Sequence, residues 1–180
     1  MSILREVTLE KHLAVESLPL IQHLVQGRAT AQQYVVYLAE MLQIYQHLES
    51  LAAAAGLFEN LPELPRAERI AQDLQELDAN YQHEVTDSTA RYLDYLTGLN
   101  KTQPSQLFAH VYVRHLGDLY GGKAIARCVP GSGQWYQFDN RAGLVKRFNS
   151  QLSMELADEA LVAFDHYANI FSDLWKRINQ

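Results

Sequence analysis

The stretch His110-Val-Tyr-Val-Arg-His-Leu-Gly-Asp-Leu-Tyr-Gly-Gly-Lys-Ala-Ile125 decides how this chain is read. Its apolar spacing is that of a helix, yet Gly117, Gly121 and Gly122 fall within six residues of one another. Each glycine costs a helix about 1 kcal/mol relative to alanine, so something other than propensity selects them. On a helical wheel His110, Arg114, Gly117 and Gly121 lie along one stripe, with Asp118 and Gly122 beside it. Ala109, Val113, Leu116, Tyr120 and Ala124 form the neighbouring stripe, which the pattern turns inward. Two readings suit the glycines. One is the close approach of a second helix, with glycine serving as a small residue. The other is a large flat ligand lying against the backbone, where a side chain would collide and where adjacent glycines let the helix bend. On the second reading Asp118 sits at the edge of the ligand cavity beside Arg114, because a buried carboxylate needs such a partner.

Outward from this stretch the helical period continues. Tyr34, Tyr37, Leu38, Met41, Tyr45, Leu48 and Ala52 recur at three- and four-residue steps, and Thr30 with Gln33 spells a capping box at the start of that helix. Gly56 and the Pro62/Pro65 pair end it. Leu156, Ala160, Ala163, Phe164, Tyr167, Phe171, Leu174 and Ile178 repeat the pattern at the far end, with further helices expected near 66–82, 88–98 and 104–126. The irregular run Val129-Pro-Gly-Ser-Gly-Gln134 is a turn cluster. No alternating β-branched run suggests a sheet, so the chain reads as all-α, a bundle of seven or eight helices.

With 180 residues and 48% hydrophobic content the chain can bury one sizeable core, and a single domain over 1–180 is expected. A formal charge of −6 argues against nucleic acid as a partner. Cys128 is the only cysteine, so no internal disulfide is possible. The first residues lack the basic-then-apolar order of a signal peptide, and no run approaches a membrane span or anchor. A cytoplasmic protein is expected.

Seven histidines are present. His23, His47, His83 and His166 sit among polar neighbours and read as ordinary surface or boundary residues. No two histidines have the i, i+4 spacing of a helical zinc pair with an acid between them, and His110 and His115, five apart, point to different faces. His12 is different, because Leu9, His12, Leu13 and Glu16 share one face of the first helix. Glu16 can cap a boundary imidazole there. It can also fix the tautomer of a metal-ligating one. A lone histidine cannot build a zinc site, but it suffices as the axial ligand of a haem, whose porphyrin supplies the other four donors.

The segment from His110 to Gly122 resembles the distal-helix signature of the heme oxygenase family, and Lys11-His-Leu-Ala-Val-Glu16 is similar to its proximal segment. Gly27, Thr30, Tyr45 to Glu49, Phe138 with Asn140, and Glu159-Ala160 with Ala163-Phe164 also follow the family pattern, so the likeness runs from about Arg5 to Leu174. It implies a helical bundle holding haem between proximal and distal helices. By resemblance His12 is the proximal iron ligand and Glu16 its support. Gly117 and Gly121 form the distal wall, and Gly122 lets the helix bend. Asp118 anchors a distal water network and Arg114 organises the charge around it, while Arg5, Tyr112 and Phe164 contact the haem or its propionates. His115 and Tyr120 depart from the pattern, which has a tyrosine and a serine there, and the basic pair Lys146-Arg147 does not align cleanly.

The resemblance implies O2-dependent cleavage of haem to biliverdin, carbon monoxide and iron, with haem as both substrate and cofactor. No flavin, nicotinamide or iron–sulfur fingerprint is present, so electrons come from a reductase or ferredoxin partner. Two rival classes remain: a haem-binding storage or sensing protein without turnover, and a thiaminase-like helical hydrolase. The second would need Cys128 as nucleophile, and no general base adjoins it in sequence.

Overall fold

The computed structural model describes residues 3–179; Met1, Ser2 and Gln180, the ends of the expected 1–180 domain, lie outside them. Eight α-helices make up the described chain: α1 (Ile3–Glu16), α2 (Pro19–Val25), α3 (Ala31–Ala54), α4 (Ala67–Asp78), α5 (Asp87–Thr102), α6 (Leu107–Ile125), α7 (Arg141–Asn149) and α8 (Ala157–Ile178). Three single 3-10 turns precede α6, α7 and α8.

The two expected apolar stripes form the centre. Tyr34, Tyr37, Leu38, Met41, Tyr45, Leu48 and Ala52 of α3 are all buried, as are Ala160, Ala163, Phe164, Phe171 and Leu174 of α8. α3 packs against α4, α5 and α6, and α8 against α1, α2, α5 and α6, so α6 is held between the two long helices. Burying these faces, rather than propensity, stabilises the helices. The capping box at α3 is complete: the Thr30 hydroxyl accepts from the Gln33 N–H at 3.2 Å and the Gln33 side chain accepts from the Thr30 N–H at 3.1 Å.

Buried carboxylates of α3 fasten the neighbouring segments. The Glu49 carboxylate accepts from the backbone N–H groups of Arg66 and Ala67. It thereby caps α4, whose own N-cap residue supplies no side-chain bond. Glu40 accepts from the Thr86 N–H at 3.0 Å and its hydroxyl at 2.7 Å, and pairs with His83. The His83 side chain is only 6% exposed in that pair, so of the surface or boundary settings expected for this histidine it takes the boundary one, anchoring the segment before α5.

The wheel drawn from sequence holds for the first half of α6 and fails for the second. Ala109, Val113 and Leu116 are buried, but Tyr120 is 58% exposed and Ala124 is exposed as well. These two share the open side of the helix with Gly117 and Gly121. The inward pattern ends because, among the described residues, no helix covers that side of the second half.

Candidate active site

The first helix presents an apolar face that none of the described residues covers. Leu9 and Leu13 are 44% and 55% exposed, although leucine on a helix of this size would ordinarily be buried. Between them projects His12, its side chain 36% exposed. Its Nε2 lies 3.2 Å from Glu16 Oε1, and the buried ring of Phe164 from α8 meets the imidazole edge-on at 6.1 Å. The structure thus brings His12 together with Glu16 and Phe164, and α1 is clamped to α8 by the Lys11–Asp165 ion pair.

On α6 the glycines divide into two kinds. A Cβ built on Gly117 or Gly121 meets nothing within 4 Å, which removes the tight helix crossing as the reason for either. Gly122 is buried, and a Cβ there would come within 2.6 Å of Tyr136 Cδ1. Its role is close packing against the turn that follows α6. Thr8 of α1 and Tyr112 of α6 share a hydrogen bond of 3.1 Å between their hydroxyls. Burial pushes the Tyr112 phenol up, opposed by Thr8 and by the nearby charge of Arg5.

The polar interior corrects the expected partnership of Asp118 with Arg114. The Asp118 carboxylate accepts from Tyr45 Oη at 2.8 Å and from Trp135 Nε1 at 3.0 Å, both at Oδ2. Arg114 instead lies with its guanidinium 4.3 Å from the ring of Tyr167 and 5.2 Å from that of Tyr92, and Nη1 reaches Met41 Sδ at 3.7 Å. The two residues lie four apart on α6, and among the described residues each side chain bonds or stacks with groups other than its neighbour. Arg114 Nε and Nη2 are sealed from solvent and make no well-formed hydrogen bond among the described residues, although the Tyr92 hydroxyl lies near the guanidinium. A buried cation with two orphaned donors is costly and suits a site where water or ligand oxygen completes the bonding. Burial raises the Asp118 carboxyl to about 6, against the opposing charge of His115, the bonds from Tyr45 and Trp135, and the charge of Arg66.

His110 and His115 are both buried and both engaged. His110 Nδ1 meets Tyr92 Oη at 2.9 Å and its Nε2 meets Glu159 Oε1 at 2.8 Å. His115 Nε2 bonds Glu49 Oε1 at 2.8 Å. Both histidines are buried, whereas the His12 side chain is 36% exposed on α1. Arg147 is tied to the carbonyl of Asn60 and to Glu63, consistent with the poor alignment of that basic pair. Among the described residues no group of three or more metal-ligating side chains occurs, and no helix is long and apolar enough to cross a membrane. Sequence reasoning placed Tyr45 in a core stripe and passed over Trp135; both are buried partners of Asp118.

One helix carries a partly exposed imidazole on an apolar strip and another a bare glycine face, and the regular structure of the described residues is helical throughout. The sequence model of the heme oxygenase family matches residues 1–173, and the chain belongs to that family. It is 30% identical to the heme oxygenase of Takifugu rubripes, over 98% of this chain and 74% of the relative. Human heme oxygenase 1 is 29% identical over 95% of this chain and 70% of its own length. Among solved structures, heme oxygenase from Leptospira interrogans superposes with a TM-score of 0.82 at 27% identity, covering 96% of this chain and 99% of that one. Heme oxygenase-1 from the cyanobacterium Synechocystis, solved in complex with heme, superposes at 0.83 and 23% identity, covering 98% and 92%.

Proposed function

We propose that His12 would bind the iron of haem in this heme oxygenase and that Asp118 and Arg114 would be the polar groups serving the reaction from the α6 side. The reaction is the O2- and reductant-dependent cleavage of haem to biliverdin, carbon monoxide and iron. The observation that carries the site assignment is the open space over Gly117 and Gly121, on the helix joined to the His12 helix through Tyr112 and Thr8. A porphyrin needs a flat, apolar slot with one nitrogen donor, and Leu9, Leu13, Phe164 and the glycine face supply its walls.

Bound haem supplies the iron that takes up and reduces O2 and the ring that is opened. The protein's part is placement and protons. Glu16, at 3.2 Å from Nε2, is the carboxylate within reach of the imidazole, and a side-chain rotation lets it hold one ring nitrogen while the other binds metal. Gly117 and Gly121 let the distal backbone lie against the ligand, which excludes bulk water and orients what is bound. Asp118, with a carboxyl near 6, holds and releases a proton close to neutral pH. Its Oδ1 accepts from no group among the described residues and keeps contact with solvent, so it is the atom that exchanges protons with distal water. The Nε and Nη2 of Arg114, without a hydrogen-bond partner among the described residues, are donors that an enclosed water or a ligand oxygen would satisfy. Arg5 with Tyr112 is suited to the propionate edge.

A single domain over 1–180, a reductase or ferredoxin as electron donor, and a cytoplasmic setting belong to this reading. The test is the visible spectrum of the haem complex before and after reductant is added in air. Decay of the Soret band into biliverdin absorption is expected, slowed on the order of a hundredfold in Asp118→Ala. A Soret band that persists in the wild-type protein would instead assign binding without turnover.

A further inference from the structure

Trp135 is the largest fully buried side chain of the protein. Its ring stacks on Tyr136 at 4.7 Å and on Tyr37 at 5.7 Å, and meets Tyr45 edge-on at 5.3 Å. The turn that carries it is pinned from α4, where Asp73 accepts from the backbone N–H of Gln134 at 2.7 Å and of Trp135 at 2.9 Å. Gly133, at φ +63, makes the left-handed step into that turn. Thus the indole cannot drift, and its one polar atom is aimed at α6.

We infer that Trp135 is a positioning residue for the distal acid: its indole N–H, together with the Tyr45 hydroxyl, occupies Oδ2 of Asp118 and holds the carboxyl group in one rotamer with Oδ1 left to carry the proton. The inference rests on the reading of Asp118 as the distal proton group. Two donors converging on one carboxylate oxygen fix both the position of the group and which oxygen is free. Packing alone does not require this. Phenylalanine would fill most of the same space and stack in the same way, so the N–H is what distinguishes tryptophan here. Both donors favour the ionised carboxylate, and burial opposes them. The other groups facing Asp118 are Tyr34 and Tyr37 of α3, Arg66 ahead of α4, His115 of its own helix, Tyr136 beside Trp135, and Tyr167 of α8. Of these, Arg66 and His115 lower the carboxyl, and the tyrosines stay neutral near physiological pH.

The experiment uses haem-free protein labelled with 15N at the indoles, with Trp175→Phe assigning the two resonances. The Trp135 Nε1–H signal is expected to titrate with a midpoint near 6, and to lose that titration in Asp118→Asn. In Trp135→Phe the Asp118 carboxyl, followed by 13C NMR, is expected to rise by about one unit, a tenfold change in its ionisation constant. The acid limb of haem turnover should move by the same amount. Tyr45→Phe should shift it in the same direction. An indole signal that is flat from pH 4 to 8, or a Trp135→Phe carboxyl titrating with the wild type, overturns the proposal. Should Trp135→Phe fail to fold, the wild-type indole titration still decides. Wild-type turnover in Asp118→Asn would overturn the reading of Asp118 itself, and with it the purpose assigned to Trp135, whatever the indole does.

Discussion

The hydroxyls of Thr8 on α1 and Tyr112 on α6 meet at 3.1 Å, and this bond joins the two helices that carry the site. Thr8 lies one turn before His12 on the same face, so the stripe that reaches α6 is the stripe that bears the imidazole. Both residues are buried; Thr8 also donates to the Leu4 carbonyl at 2.8 Å, so the loss of Thr8 is what leaves a hydroxyl, that of Tyr112, without its partner. Thr8→Val should lower stability by about 1–2 kcal/mol and weaken haem binding, because the proximal helix would no longer be registered against the distal one. Thermal denaturation with and without haem checks both. Unchanged haem affinity would show that the α1–α8 contact alone sets the position of His12.

His12→Ala should leave the fold nearly untouched, at a cost below about 1 kcal/mol, since the side chain is over one-third exposed. The histidine signature in EPR or resonance Raman of the ferric complex should disappear. Its survival would remove His12 as the ligand. His110 and His115 could not easily replace it, as each has a nitrogen bonded to a glutamate.

Gly121 and Gly122 are adjacent in sequence and should respond in opposite ways. Open space surrounds Gly121, so Gly121→Leu should gain several tenths of a kcal/mol in helix propensity while haem affinity falls. At Gly122 even a methyl group would collide with Tyr136, whose ring is locked on Trp135 at an interplanar angle of 14°. Gly122→Ala should therefore destabilise by about 1–3 kcal/mol. Melting temperatures and haem titrations of the two variants separate these effects, and a Gly121→Leu protein with normal haem affinity would place the ligand elsewhere.

The pattern of apolar residues was enough to expect the two long stripes of α3 and α8, because each buries a face that repeats at the helical period. The motif around Gly117 and the His12–Glu16 pair were legible for a similar reason: both are local, within one or two turns. What stayed hidden is tertiary. Tyr120 follows the inward stripe of α6 and is nonetheless exposed, since only the fold reveals that, among the described residues, no helix covers that side. Trp135 reaches Asp118 from a turn 17 residues on, and Arg114 is drawn towards Tyr167 of α8. No spacing rule connects residues on separate elements, so the polar partners of the site had to be seen in place.

The last prediction concerns the energetic cost of Asp118 in the haem-free protein. Burial holds its carboxyl at about 6, against an ordinary value of 3.8. The folded state therefore binds a proton more tightly than the unfolded state does. Relative stability from this group is fully present below pH 3.8 and is lost as pH rises through 6. Above that range the loss amounts to roughly 3 kcal/mol, at about 1.36 kcal/mol per unit. Asp118→Asn keeps an oxygen that can accept from Tyr45 and Trp135 and has no charge to bury. It should match the wild type near pH 4, gain on it between pH 4 and 6, and stay more stable at pH 8, while losing turnover. Urea denaturation of both haem-free proteins across that range is the measurement. A stability difference that does not change with pH would mean that Asp118 is not held above its ordinary range. The buried carboxylate would then have to be regarded as a structural ion kept charged by Arg66 and His115, rather than as a proton donor maintained at the expense of stability.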